Sequence, residues 1–175
     1  ASLVVAVLVV VSFGPAVVQA TESGNLLTDV IITMVKTEDS AKDMSLEDLA
    51  NGIDVSDYFT DGETIRGISF TYYSVTEAQF DTMMANPSDY DTTAKVSAYV
   101  GNTGKATVET NATGQVVMQD LPEGYYWIVE NTKGTIASAT AVPFGLILPF
   151  TNQAGNGYLD IVNVYPKNTL QNTPN

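Results

Sequence analysis

Three polar residues stand where the surrounding pattern asks for apolar ones. Lys36 follows Val30, Ile32 and Met34 in the run Asn25 to Lys36. Glu130 follows Tyr126 and Ile128, and Asn168 follows Val162 and Val164 in the run that starts at Tyr158. Side chains alternate across a strand, so residues two apart share a face. An amine, a carboxyl and a carboxamide therefore each end an apolar strand face, and the strands of a sandwich bring such ends into one pocket. Burial disfavours charge, lowering the pKa of an amine and raising that of a carboxyl. Two arrangements meet that constraint: Lys36 snorkels to solvent at its strand end, or it pairs with Glu130 while Asn168 supplies hydrogen bonds. Asn163 is a rival amide, but its parity sets it opposite Val162 and Val164. Lys167, next to Asn168, falls on the outward face, and Pro166 fixes the backbone before it.

The elements that must position these groups read mostly as strands. Asn25 to Lys36 is the first, and Ile68 to Val75 the second, rich in Phe70, Tyr72 and Tyr73. Lys105 to Glu109 and Gln115 to Gln119 read as a hairpin about Asn111-Ala112-Thr113-Gly114. Asp120 to Gly124 is a turn before the strand Tyr125 to Glu130. Val142 to Leu148 and Tyr158 to Tyr165 follow, the last running into Pro166 and stopping there. Ser45 to Ala50 reads as a short helix, and Thr76 caps another whose apolar side is Ala78, Phe80, Met83 and Met84. Asp89 to Gly101 carries no decisive pattern. The sum is an all-β chain with short helical insertions.

Composition narrows the function. The net charge of −13 argues against nucleic acid as a partner. There is no cysteine and no histidine, which removes disulfides, thiolate nucleophiles, the commonest general base and the usual zinc ligands. Asp57, Asp61 and Glu63 are oxygen donors without the spacing of an EF-hand loop, so no metal is expected. No acid pair suits a glycosidase, and no cofactor or enzymatic turnover is expected. Asn111-Ala112-Thr113 is a formal glycosylation acceptor of little weight. Residues 1–20 are almost wholly apolar and end in Val18-Gln19-Ala20, which fits the remnant of a signal peptide; a membrane anchor is the rival reading. A secreted domain over 21–168 and a polar linker over 169–175 complete the expected organisation.

The closing segment Tyr158-Leu159-Asp160-Ile161-Val162-Asn163-Val164-Tyr165-Pro166-Lys167-Asn168 resembles the pilin motif of sortase-assembled pili of Gram-positive bacteria. Val162, Val164, Tyr165, Pro166, Lys167 and Asn168 match it, and Tyr158 stands where the family usually has Trp. Leu121-Pro122-Glu123-Gly124, running into Tyr126-Trp127-Ile128-Val129-Glu130, resembles the family's second signature, without the usual Ala-Pro-x-Gly-Tyr continuation. The resemblance implies the N-terminal domain of a pilus backbone subunit, an Ig-like β-sandwich of the CnaB type. It implies Lys167 as the nucleophile that accepts an intersubunit isopeptide bond from sortase. It further implies an internal isopeptide bond between Lys36 and Asn168, with Glu130 as proton shuttle. The implied partners are sortase, identical pilin subunits and tip or basal pilins, and the implied location is the cell wall and pilus surface. Leu148-Pro149-Phe150-Thr151-Asn152 looks like a sorting signal, but Leu146 and Leu148 suit a core strand better. The alternative is an adhesin domain that binds a host protein or glycan through Tyr72, Tyr73, Tyr125 and Tyr158.

Overall fold

The computed structural model describes residues 26–36, 51–54, 64–131, 139–140 and 143–170, with residues 36, 139–140 and 167–170 described by backbone alone. The expected signal-peptide remnant, the helix at Ser45 to Ala50 and the acidic stretch Asp57 to Glu63 lie outside the described residues. So does most of the tail after Asn168.

The run Leu27–Thr33 (β1) breaks at Met34 and resumes as Val35–Lys36 (β2). The break is local chemistry: Met34 donates its backbone N–H to Gly114 O at 2.8 Å and accepts from Ile65 N at 2.9 Å. Gly114 sits at φ +73°, and a Cβ there would meet Met34 O at 2.6 Å, so only glycine suits the site. Ser69–Val75 (β3) leads into the helix Glu77–Ala85 (α1). Thr76 and Gln79 close a reciprocal capping box at its start. After a 3₁₀ turn at Pro87–Tyr90 comes a second helix, Thr93–Val100 (α2), capped by Thr92 and ended by Gly101 in the left-handed region. Lys105–Ala106 (β4), Gln115–Pro122 (β5), Gly124–Asn131 (β6), Ala139–Thr140 (β7), Phe144–Leu148 (β8), Ile161–Val164 (β9) and Lys167–Leu170 (β10) complete the order.

One sheet has the order β4-β3-β6-β8 and is antiparallel throughout. Facing it is the set β5-β1-β9, continued along the same chain segments by β2-β10-β7. The two sheets make the expected β-sandwich. Its core holds Val30 and Ile32 from β1, Met34 from the break after it, Phe70, Tyr126 and Ile128 from the four-stranded sheet, and Val162 and Val164 from β9. The opposite face of the four-stranded sheet is also buried. Tyr73, Trp127 and Val129 pack there under α1 and α2, with Phe80, Met83 and Val96. Trp127 Nε1 donates to Tyr90 O at 2.9 Å, and the Tyr73 hydroxyl lies 3.0 Å from Ser97 Oγ.

Two sequence expectations need correction. Residues 105–109 do not pair with 115–119; β4 lies along β3, and β5 lies along β1. Threonines set this edge. Thr107 Oγ1 accepts from Phe70 N and Thr110 Oγ1 from Ile68 N, both at 3.0 Å, so the segment stays bound to β3 while Val108 is 78% exposed. The turn itself is as read, closed by Asn111 Oδ1, which accepts from Thr113 N and Gln115 N. Residues 93–100, where the sequence carries no decisive pattern, are a helix. Second, the last strand does not stop at Pro166. Proline has no N–H, so the ladder is interrupted there, but the backbone resumes pairing as β10 and runs two residues beyond Asn168 into the expected linker.

Two consequences can be measured. Gly114→Ala forces a residue with a Cβ into the left-handed region against a carbonyl, and should cost about 1–3 kcal/mol in urea unfolding. Tyr126 donates its hydroxyl to Pro122 O at 2.6 Å, and burial, followed by the nearby Tyr72, pushes its pKa up to about 12 from 10.0. The folded value lies above the unfolded one, so this stabilisation is whole below pH 10.0 and is lost as pH rises toward 12. Stability measured across that window should fall, and the fall should shrink in Tyr126→Phe.

Candidate functional site

The first and last strands are neighbours and run parallel. Asp29 pairs with Ile161, Val30 with Val162, Ile31 with Asn163 and Ile32 with Val164. Past the break, Val35 pairs with Lys167 and Lys36 with Asn168. The offset is 132 residues throughout (161 less 29, 168 less 36), so the interruption does not shift the register. Pro166 occupies the position opposite Met34, whose N–H and C=O are already engaged by Gly114 and Ile65. The residue that cannot donate thus faces the residue that asks nothing of it. Two of the three polar strand ends, Lys36 and Asn168, are direct register partners. Whether Lys167 points outward and Asn168 inward concerns side chains outside the described set.

Glu130 belongs to the other sheet. It pairs with Phe70 and is 7% exposed, on the same face of β6 as Tyr126 and Ile128, so it lies toward the sandwich interior as its parity demands. Asn131, not Glu130, closes that strand; its Oδ1 accepts from Thr71 Oγ1 at 2.9 Å.

Sequence alternation fails on the other face of β9. It assigns Asn163 and Tyr165 to the side away from the core, yet they are 7% and 1% exposed. Residues 51–54 cover them. Asn163 donates its backbone N–H to Gly52 O at 2.8 Å and its side-chain amide to the same oxygen at 3.4 Å. The Tyr165 hydroxyl donates to Asp54 Oδ1 at 3.3 Å. Gly52 has φ +72°, and a Cβ on it would meet Phe150 Cδ2 at 2.9 Å. The four residues before Lys167 are therefore buried: Asn163, Val164, Tyr165 and Pro166 form a fixed base from which Lys167 departs. Nothing in the sequence pattern links 51–54 to this strand; Asn51-Gly52 as a turn dipeptide is the only available signal. Of the motif positions, Tyr158 is half-buried and bridges to Thr151, while Val162 and Val164 are fully buried.

The four tyrosines considered as a binding platform face different ways. Tyr72 packs toward the sandwich core, whereas Tyr73 is fully buried beneath the helices and Tyr125 packs there against Phe80. Leu146 and Leu148 are core residues, as expected of a strand rather than a sorting signal. Among the described residues no three acidic side chains cluster as a metal site would need, and no helix is long and apolar enough to cross a membrane.

The model of the family described as Gram-positive pilin subunit D1, N-terminal domain, matches residues 28–169. Solved structures share the fold. The full-length major pilin SpaD from Corynebacterium diphtheriae is 23% identical with a TM-score of 0.53; the match covers 82% of this chain and 32% of that one. The chain thus spans about a third of that pilin. The C. diphtheriae SpaA pilin, solved as a complex with a signal peptide, is 23% identical with a TM-score of 0.54, covering 83% and 99%. The N-terminal domain of the shaft pilin spaA from Lactobacillus rhamnosus GG is 24% identical with a TM-score of 0.50, covering 85% and 99%. No curated protein matches the sequence.

The buried base before Lys167 gives a test. Asn163→Ala removes the side-chain donor to Gly52 O in a buried setting and should destabilise by about 1–3 kcal/mol in urea unfolding. A variant as stable as the parent would show that the side-chain bond to Gly52 O does not contribute and that the backbone bond alone ties 51–54 to β9.

Proposed function

This chain belongs to the family of N-terminal D1 domains of Gram-positive pilin subunits, and on that premise we propose how it is joined to its neighbours and within itself. The domain is part of a cell-surface pilus subunit. Lys167 accepts the intersubunit bond: its Nζ attacks the acyl-enzyme that sortase forms on another subunit, giving an isopeptide link and freeing the enzyme. Partners are therefore sortase and further copies of the subunit, with tip or basal pilins joined the same way. The support is positional. Lys167 follows four buried residues and starts a new strand, so its backbone is held while the enzyme works on its side chain.

Within the domain, Lys36 and Asn168 condense. The observation that carries this reading is their parallel register, which apposes the two residues on adjacent strands. Neutral Lys36 Nζ attacks the Asn168 Cγ. The carboxyl of Glu130 gives a proton to the carboxamide oxygen; its carboxylate carries a proton from the attacking nitrogen to the departing Nδ2 and takes its own proton back as the tetrahedral adduct collapses. The Cγ–Nδ2 bond breaks, ammonia leaves and an amide remains. One turnover suffices, because apposition supplies a large effective molarity. The product closes a loop of 132 residues, which by chain entropy is worth about 4–5 kcal/mol.

Peptide mapping of the purified domain tests the internal bond. A branched peptide joining Lys36 to Asn168, lighter than its parts by one ammonia, about 17 Da by the condensation stoichiometry, is expected. Lys36→Ala and Glu130→Ala should lack it and unfold at lower denaturant. Incubation with sortase and a sorting-signal peptide tests the other. Product attached at Lys167, absent from Lys167→Ala, is expected; product elsewhere would reassign the acceptor.

A further inference from the structure

The turn that precedes the motif holds a second carboxamide followed by an unhindered backbone nitrogen, that of Asn156 before Gly157. Residues 152–157 form a closed loop between Thr151 and Tyr158, which bridge to each other. Asn152 organises it. Its backbone N–H donates to Gly157 O at 2.8 Å and its carbonyl accepts from Gly155 N at 3.0 Å. Its side-chain Oδ1 accepts from Asn156 N at 3.2 Å, and its Nδ2 donates to Asn156 Oδ1 at 2.9 Å. Asn156 is exposed and is followed by Gly157, which offers no side chain to block its own nitrogen. A Cβ built on Gly157 would lie 3.4 Å from Asn152 Nδ2, so that donor is within contact range of Gly157.

We propose that Asn156-Gly157 is a self-modification site, at which Asn152 Nδ2 acts as oxyanion donor for cyclisation of Asn156 to a succinimide and its hydrolysis to aspartate and isoaspartate. Hydroxide takes the Gly157 amide proton and the nitrogen attacks Asn156 Cγ. Negative charge then grows on Asn156 Oδ1, the atom that Asn152 already holds. The Cγ–Nδ2 bond breaks, the departing nitrogen takes a proton from water and leaves as ammonia. A second water opens the ring at either carbonyl. The net change is Asn plus water to aspartate or isoaspartate plus ammonium, the ammonia taking the proton of the new carboxylic acid, so the chain gains one negative charge. In the isoaspartate product the main chain is longer by a methylene, two residues before Tyr158.

The other Asn-Gly pair in the chain is the internal contrast. Gly52 is buried at φ +72°, its Cβ space is taken by Phe150 and Val162, and its carbonyl holds both the backbone and side chain of Asn163. Cyclisation at Asn51 would have to break that packing; cyclisation at Asn156 stays within an exposed turn.

The experiment is ageing of the folded domain at mildly alkaline pH, with peptide mapping of residues 51 and 156 over time. Expected are a mixture of aspartate and isoaspartate at 156 and intact Asn51. Asn152→Ala should slow the loss about tenfold, an exposed-site share of what an oxyanion donor supplies. Asn152→Asp keeps the acceptor for Asn156 N but lacks the donor, so it should slow the loss with the turn retained. Asn156 lasting as long as Asn51, or converting in both variants at the parent rate or faster, would overturn the proposal.

Discussion

Parallel pairing between the first strand and the last is the constraint on which this domain rests. Antiparallel neighbours can be joined by a tight turn, but parallel ones need a crossover, and here the crossover is nearly the whole chain. Val162 and Val164 complete a core whose other walls are Val30, Ile32, Phe70 and Ile128, so the sandwich is sealed only when the chain's end returns to its beginning. Such a contact carries a large loop-closure cost and forms slowly. The unbroken register across Met34 and Pro166 shows how tightly the return is specified: the two interruptions coincide, and neither strand slips.

Strand β6 is the second organiser. Tyr126, Ile128 and Glu130 face the sandwich core, while Trp127 and Val129 face the helices. A strand buried on both sides has no solvent face to tolerate a register error. That fixes the height at which Glu130 enters the interior. The helices serve the sheet more than themselves: α2 buries Val96 alone among its residues, and a Cβ on Gly145 would meet the Phe80 ring at 2.5 Å, so α1 rests on bare backbone.

Much of this is legible in the sequence, and the failures share a cause. Period-two alternation finds the core faces of the first strand and of β6 because each of those faces is uniform. It misassigns Asn163 and Tyr165 because their cover, residues 51–54, comes from more than a hundred positions away, and local pattern carries no sign of it. The helix at 93–100 escapes detection because one buried residue gives no periodicity; only its caps, Thr92 and Gly101, mark it. The hairpin at 105–119 is misread because β4 pairs with β3, and Thr107 and Thr110 extend that attachment with backbone and hydroxyl bonds that a local pattern does not show. Parity and family resemblance pair Lys36 with Asn168. The register places their backbones side by side, a fact no single-strand pattern contains. The covering loop over Asn163 has no sequence signal beyond a turn dipeptide.

The direction of the outer strands has a mechanical corollary. Because β1–β2 and β9–β10 run the same way, the chain enters the sheet at one pole and leaves it at the other. Tension applied between those two ends loads the interstrand bonds lengthwise. They must yield together rather than unzip one by one. Antiparallel partners pulled from a shared end would peel. The domain is thus built to resist stretching along its long axis through geometry alone, before any covalent tie is counted.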